Sequence, residues 1–350
     1  MNNKKKGKLI TIKATVLSML LLSTFALGVF IGGGSSIFRS EVRKSADAEQ
    51  SALREGGFTF INPLLECESN PELSASKELK PFRSRINSLV ERALEAGTAE
   101  NISVYFRDLN NGHSFGINDT DKFSPANLLK IPVMIAYFKR AESNPLSLKI
   151  RLALDGVENG TQGQTNKPLR SIVRGKSYTV DNLIFRMIAY DDANAFQALY
   201  ANLPPEQLKK VYTDLSVDYD PAVQDNSLSL KGYAAFLRVL YNASYLNREL
   251  SEKALKHLSN NAFREGIIAG TPPGVEIANK FGERMIRVND EGQERDVKQV
   301  HDFGIIYFPK HPYLLGVMTR GGDFKELGKI IRDISREVYD EVYRQSLYLR

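Results

Sequence analysis

Leu79, Phe82, Ile86, Leu89, Val90 and Ala93 recur at helical spacing and predict a helix over about 76–96. Ile102, Val104 and Phe106 then alternate with Ser103, Tyr105 and Arg107, the pattern of a half-buried strand. Asn111-Gly112 is a hairpin turn signal, and HSFGI (113–117) returns as a second strand. From about 125 to 270 the apolar spacing is almost wholly helical, clearest in YAAFLRVLY (233–241). Three strand stretches come next, at 275–286, 300–308 and 313–319. Leu327, Ile330, Ile331, Ile334, Val338 and Val342 then mark a C-terminal amphipathic helix. Helix, two strands, helical block, three strands and helix make an α+β order. It predicts an antiparallel sheet with flanking terminal helices on one face and an inserted all-helical subdomain. No second linker or repeat interrupts residues 58–350, so they are expected to be one domain, with the helical subdomain at about 125–270.

The N-terminal pattern is different. Ala14 to Gly34 is a run of 21 residues without a charge. As a helix it would reach about 30 Å, the thickness of a bilayer core. Lys4, Lys5, Lys6, Lys8 and Lys13 precede it, so the positive-inside rule keeps residues 1–13 as a cytoplasmic basic tail and puts the chain beyond Gly34 outside. The expectation is a single-pass cell-membrane protein: a transmembrane signal-anchor at 14–34, a juxtamembrane stalk at 35–57, and an extracytoplasmic C-terminal domain. A cleaved signal peptide is the competing reading. The run exceeds the usual apolar region of such peptides, and the Ala-x-Ala at 46–48 lies well past its end, which favours the anchor. LLEC (64–67) sits 30 residues beyond the run, so Cys67 reads as a partly buried thiol rather than a lipidation site.

Composition narrows the chemistry. Of the net charge of +6, five units are the N-terminal lysines, which leaves about +1 for the rest and no basic footprint for nucleic acid. A single cysteine closes no intrachain disulfide. His113, His257, His301 and His311 show no metal-ligand spacing, so neither a metal nor another cofactor is expected.

Ser124-Pro125 reads as an N-cap and first helical position, placing Asn127 and Lys130 one turn apart on one side of a helix. The stretch FSPANLLKIPVMIAYFKRAE (123–142) resembles the nucleophile helix of the class A beta-lactamase and penicillin-binding serine hydrolase superfamily. That helix carries Ser-x-x-Lys; here Lys130 matches and Asn127 stands at the serine position. INPLLECE (61–68), VYFRDLNNG (104–112) and HDFGIIYFPKHPYLLGVMTRG (301–321) are similar to the same hydrolases, so the resemblance spans about 58–325. Within MIAYDDANAFQAL the family's Ser-Asp-Asn motif falls on Asp191, Asp192 and Ala193, of which Asp192 matches. Its Lys-Thr/Ser-Gly motif falls on Lys280-Phe281-Gly282, with Glu283 next. Class A enzymes also carry a deacylating loop glutamate, and none occurs between Leu215 and Leu228.

The resemblance implies a beta-lactamase/transpeptidase-like fold after an N-terminal transmembrane helix. It implies a catalytic position made of Asn127, Lys130, Asp191, Asp192 and Ala193, and a ligand-binding strand of Lys280, Phe281, Gly282 and Glu283. An asparagine amide neither attacks a carbonyl nor forms a stable acyl ester. Asp191 removes a proton-relaying hydroxyl, and Phe281 removes a donor and adds bulk. Ser124 is no substitute nucleophile if its oxygen caps a helix. Asp191 and Asp192 point apart as sequence neighbours, and His301 and Asp302 face opposite sides of a strand. In the fold the resemblance implies, Lys130 and Lys280 would converge on the cleft, either to receive a ligand carboxylate or, for Lys130, to pair with Asp191 or Asp192. The expected function is a catalytically inactive envelope protein that binds a peptidoglycan stem peptide or an envelope protein. The alternative is a serine hydrolase acting on beta-lactams or acyl-D-Ala peptides.

Overall fold

The computed structural model describes residues 54–64, 79–154, 166–219, 227–290 and 293–348. Helix α1 (Lys80–Glu95) leads into β1 (Asn101–Asp108), β2 (Ser114–Ile117) and a two-residue strand β3 (Lys122–Phe123). A 3-10 turn (Ala126–Leu129) opens α2 (Lys130–Ser143), and a second one (Pro145–Lys149) precedes the strands β4 (Arg151–Ala153) and β5 (Ser177–Thr179). Then come α3 (Val180–Ala189), α4 (Ala193–Ala201), α5 (Pro205–Asp214), β6 (Leu228–Ser229), α6 (Leu230–Tyr241) and α7 (Arg248–Ser259). The long strands β7 (Ile277–Asp290), β8 (Gln293–Ile306) and β9 (Tyr313–Gly321) precede α8 (Phe324–Tyr348).

The period-2 stretches pair, all antiparallel, in the order β2-β1-β9-β8-β7. Alternation along each strand splits the core in two. Ile102, Val104 and Phe106 of β1, with Leu315 and Val317 of β9, face the layer made by Phe82, Ile86 and Val90 of α1 and Leu327, Ile331, Ile334 and Val338 of α8. Phe82 meets Phe106 and Phe115 edge-on at 5.0 and 4.9 Å; a phenylalanine so buried is worth about 3–5 kcal/mol against alanine. On the other face Tyr105, Phe303, Ile305, Leu314 and Met318 meet the helical block. Its central helix is α2, where every residue from Lys130 to Phe138 is buried, as an apolar helix surrounded by others must be.

The terminal helices therefore share one face, as the pattern predicts. The block between them is less uniformly helical than its spacing suggests, because β3 pairs with β6 and β4 with β5. The helix start also differs from expectation. Ser124 caps nothing: Ala126 takes a left-handed φ of 50°, which breaks the helical path after Pro125, and the chain reaches α2 through the 3-10 turn. Among the described residues no helix is long and apolar enough to cross a membrane; the run 14–34 and Cys67 lie outside them.

The N-terminal arm, 54–64, is held to the block by backbone bonds from Asn62 and Leu64 to the Tyr241 and Asn242 carbonyls and, at residues 59–61, by one carboxylate. Glu252 on α7 accepts from the backbone amides of Thr59, Phe60 and Ile61 at 2.9–3.1 Å, while Tyr307 donates its hydroxyl to the Phe60 carbonyl at 2.9 Å. Hydrogen bonds to a charged acceptor contribute about 1.5–3 kcal/mol each, less where they share one group. Glu252→Ala is therefore expected to lower the local opening free energy of the arm by roughly 2–3 kcal/mol while leaving the sheet untouched. Hydrogen exchange of amides 59–61 checks this; unchanged protection there would show that apolar packing of Phe60 and Ile61 suffices.

Candidate functional site

Strand β7 is the edge of the five-stranded sheet, and its outer rim carries the motif Lys280-Phe281-Gly282 against the 126–129 turn. A Cβ at Gly282 would stand 3.2 Å from the Asn127 amide nitrogen and 3.4 Å from that of Leu128, so this close approach favours glycine. Tyr233 of α6 fixes the turn from the other side by donating to the Leu128 carbonyl at 2.9 Å. His301 fixes its start: Nε2–H donates to the Ser124 carbonyl at 2.9 Å. Complete burial pushes His301 down to about 4, so it stays neutral in that role. Arg284 lies on the same side of β7 as Lys280 and Gly282 by strand alternation, and it donates to Ser124 Oγ at 2.7 Å.

The third component is the link between α3 and α4. Asp192 caps α4, accepting from the Asn194 amide at 3.0 Å. Asp191 just before it takes a left-handed φ of 57°, a conformation aspartate tolerates better than most residues. That kink delivers its carboxylate to both lysines. Lys130 Nζ donates to Asp191 Oδ1 at 2.6 Å and to the Asp191 carbonyl at 3.0 Å, and Lys280 Nζ donates to the same Oδ1 at 2.6 Å. Asn127 Nδ2 donates to the remaining oxygen, Oδ2, at 3.0 Å. The lysine side chains are 2% and 1% exposed, that of Asp191 17%.

This geometry sets the electrostatics. Burial favours the neutral acid at Asp191, but the adjacent Lys130 and Lys280 charges and their hydrogen bonds outweigh it and hold the carboxyl below its ordinary value. Burial lowers Lys130 to about 8 even though Asp191 opposes that, with Lys280 adding repulsion. The Asp191 carboxylate thus stands between two ammonium groups that would otherwise repel each other.

The other expected site residues go elsewhere. Asp192 does not join the lysines: its oxygens accept from Ser171 Oγ at 2.7 Å and the Ile172 amide at 2.8 Å, tying down the 171–172 segment. Ala193 is the first residue of α4 and brings no polar side chain. Phe281 alternates away from Lys280 and stacks on Phe263, ring centroids 3.5 Å apart. Both oxygens of Glu283 are taken by Asn166, through its backbone N–H and Nδ2 at 2.8 Å each. Asp302, on the face opposite His301, accepts from the Ile267 amide at 2.8 Å and Asn279 Nδ2 at 2.9 Å; burial raises it to about 6.

Beside the cluster lies a cavity of about 290 Å³, bordered by Asp191, Lys280, Phe281, Asn261, Arg264 and Lys167 among others. Asn166, Arg284 and the Asn261–Asn279–Asp302 chain are absent from the sequence-based site. Of these, Arg284 had a signal in its even spacing from Lys280, and Asp302 in its place beside His301. Chemically the arrangement offers amide and ammonium donors on one carboxylate and no nucleophile at Asn127. Among the described residues no cluster of three His, Cys, Asp or Glu side chains could hold a metal ion.

The fold is shared with solved enzymes of known type. An acyl-enzyme complex of a PBP-A mutant with penicillin G superposes with a TM-score of 0.61 at 22% identity, covering 76% of this chain and 97% of that one. A beta-lactamase from Sphaerobacter thermophilus gives 0.60 at 20% identity, covering 73% and 95%. A class A beta-lactamase from Mycobacterium abscessus gives 0.60 at 19%, covering 74% and 98%. Identities this low speak for the fold alone. No curated protein matches the chain. A family model described as the beta-lactamase enzyme family matches residues 81–342, three quarters of the sequence and all of the cluster just described, and the chain therefore belongs to that family.

Proposed function

We propose that the chain is a non-catalytic member of the beta-lactamase family, anchored by residues 14–34 and acting outside the cell membrane as a peptide- or protein-binding module of the envelope. One observation carries the reading. The position that the family motif gives to the nucleophile holds Asn127, and its amide is spent on Asp191, whose single carboxylate is also shared by Lys130 and Lys280. Acyl transfer needs an oxygen or sulfur nucleophile and a free base nearby. Here the amide supplies no nucleophile, and the nearest amine is an ion-paired ammonium. Asp191 also fills the place where the two lysines would receive a ligand carboxylate. A stem peptide ending in a carboxylate would find both ammonium groups already paired with Asp191 and would have to displace it, which favours an envelope protein as partner over the free peptide.

The test is covalent labelling of the full chain with a fluorescent penicillin, together with a chromogenic cephalosporin. No label and no colour change are expected. An adduct mapped by mass spectrometry to any residue, Ser124 included, would replace this reading with that of a serine hydrolase.

A further inference from the structure

The described parts of residues 144–179, around the β4–β5 edge of the helical block, combine exposed apolar side chains with a concentration of positive charge. The β4–β5 pair brings residues 150–153 beside 177–180, with the Val180 amide donating to the Ile150 carbonyl at 2.8 Å. The flanking segments leave Leu146 65%, Ile150 45%, Leu169 70% and Val173 52% exposed. Interleaved with them are the exposed cations Lys149, Arg151, Lys167, Arg170, Arg174 and Lys176. No acid occurs among the described residues of 144–154 and 166–179, and the sequence between them adds two, Asp155 and Glu158. Residues 144–179 thus sum to about +4, whereas everything after Lys13 sums to about +1, so the rest of the domain is net acidic. The positive charge is segregated at the place where apolar side chains protrude.

Separately exposed apolar residues are ordinary on a protein surface; four of them interleaved with six cations within residues 146–176, where Leu169 and Lys167 also border the cavity beside Lys280, are not. A polyanion in solution would be served by the cations alone. Basic residues around protruding leucine, isoleucine and valine match an interface with anionic headgroups above and acyl chains below. We infer that this edge docks onto an anionic lipid surface, with Leu169 and Val173 at the headgroup boundary. The inference rests on the anchored reading for the nearness of a bilayer. The 19 residues between Gly34 and Arg54 reach at most about 70 Å, long enough to allow the contact without enforcing it.

The experiment uses the full chain with Cys67→Ser, reconstituted into vesicles of neutral phosphatidylcholine or of the same lipid with a third phosphatidylglycerol. An environment-sensitive fluorophore is placed at Val173→Cys or, as control, at Tyr343→Cys on α8, across the sheet. On the anionic vesicles the label at 173 should shift to the blue and be quenched by spin-labelled lipid, and the label at 343 should not. Each cation near an anionic surface changes the balance about fivefold. Lys149→Gln with Lys176→Gln should therefore lower the docked-to-undocked ratio about thirtyfold, and added salt should act in the same direction. Leu169→Ser should weaken quenching without altering the salt dependence. Equal signals at 173 in both lipids, equal quenching at 343, or binding of soluble heparin without quenching would each overturn the inference. If alkaline carbonate strips the chain from vesicles while the label at 173 is still quenched on the anionic ones, the anchor is wrong and the docking surface stands.

Discussion

Asp191→Ala is expected to destabilise the folded protein by about 3–5 kcal/mol at neutral pH, the usual cost of removing one partner from a buried ion pair. The reason is the company Asp191 keeps. Its Oδ1 takes both lysine ammonium groups at 2.6 Å, and without it two cations 1–2% exposed lose their shared hydrogen-bonded counterion. Asp191→Asn should fare little better, because it restores hydrogen bonding but not charge. The loss should depend on pH with a definite sign. In the wild-type protein the Asp191 carboxyl is held below 3.8, so the folded state binds fewer protons there than the unfolded one; that contribution is complete above about pH 4–5 and disappears as pH falls through the folded value. The variant lacks this group and should show a flatter acid limb. At the alkaline end Lys130, already at about 8, drops further once Asp191 is gone, whereas the unfolded lysine stays protonated to about 10.5. The unfolded variant then binds more protons over a wider interval, so its stability recovers as pH rises across it. Urea titrations from pH 3 to 10 measure both limbs; a variant within about 1 kcal/mol of wild type at pH 7 would mean the lysines have another route to compensation.

How much of this cluster was legible in the sequence depends on range. Periodicity located the sheet and its terminal helices because alternation and 3.6-residue spacing arise directly from which face is buried. It could not show β3, β4, β5 or β6, which are two or three residues long and formed by pairing rather than by their own pattern. Motif order placed Lys130 and Lys280 near one another, but the choice between Asp191 and Asp192 as their partner was hidden. Two adjacent aspartates look alike until one adopts a φ of 57° and the other caps a helix. The Ser124 cap failed for a similar reason. Serine before proline is a sound local signal, yet here the 126–129 turn packs against β7, Tyr233 holds its Leu128 carbonyl and His301 holds that of Ser124. Tertiary contacts overrode a preference worth about 1 kcal/mol.

On the proposed non-catalytic reading, those same contacts decide what installing acyl transfer would take. Loss of the nucleophile in a serine hydrolase costs about a millionfold in turnover, and members of a catalytic set are far from additive. Asn127→Ser alone should gain almost nothing. Its new hydroxyl would stand beside Lys130, but that amine donates to Asp191 Oδ1 and the Asp191 carbonyl, and an ammonium fixed by a carboxylate cannot take a proton. Adding Asp191→Ser supplies a relaying hydroxyl and removes the anion that keeps Lys130 charged, so the double variant should acylate with penicillin far faster than the two single effects multiplied together. Ala193→Asn and Phe281→Thr should raise the rate again, with a cost in stability from unstacking Phe281 from Phe263. Turnover should remain poor in every combination, since no glutamate lies between Leu215 and Leu228 to activate a deacylating water. Intact-mass spectrometry against time gives acylation, and burst kinetics with a chromogenic cephalosporin gives release. If Asn127→Ser acylates as fast as the double variant, Asp191 is not what restrains Lys130, and the ion pair that defines this site is a bystander to its chemistry.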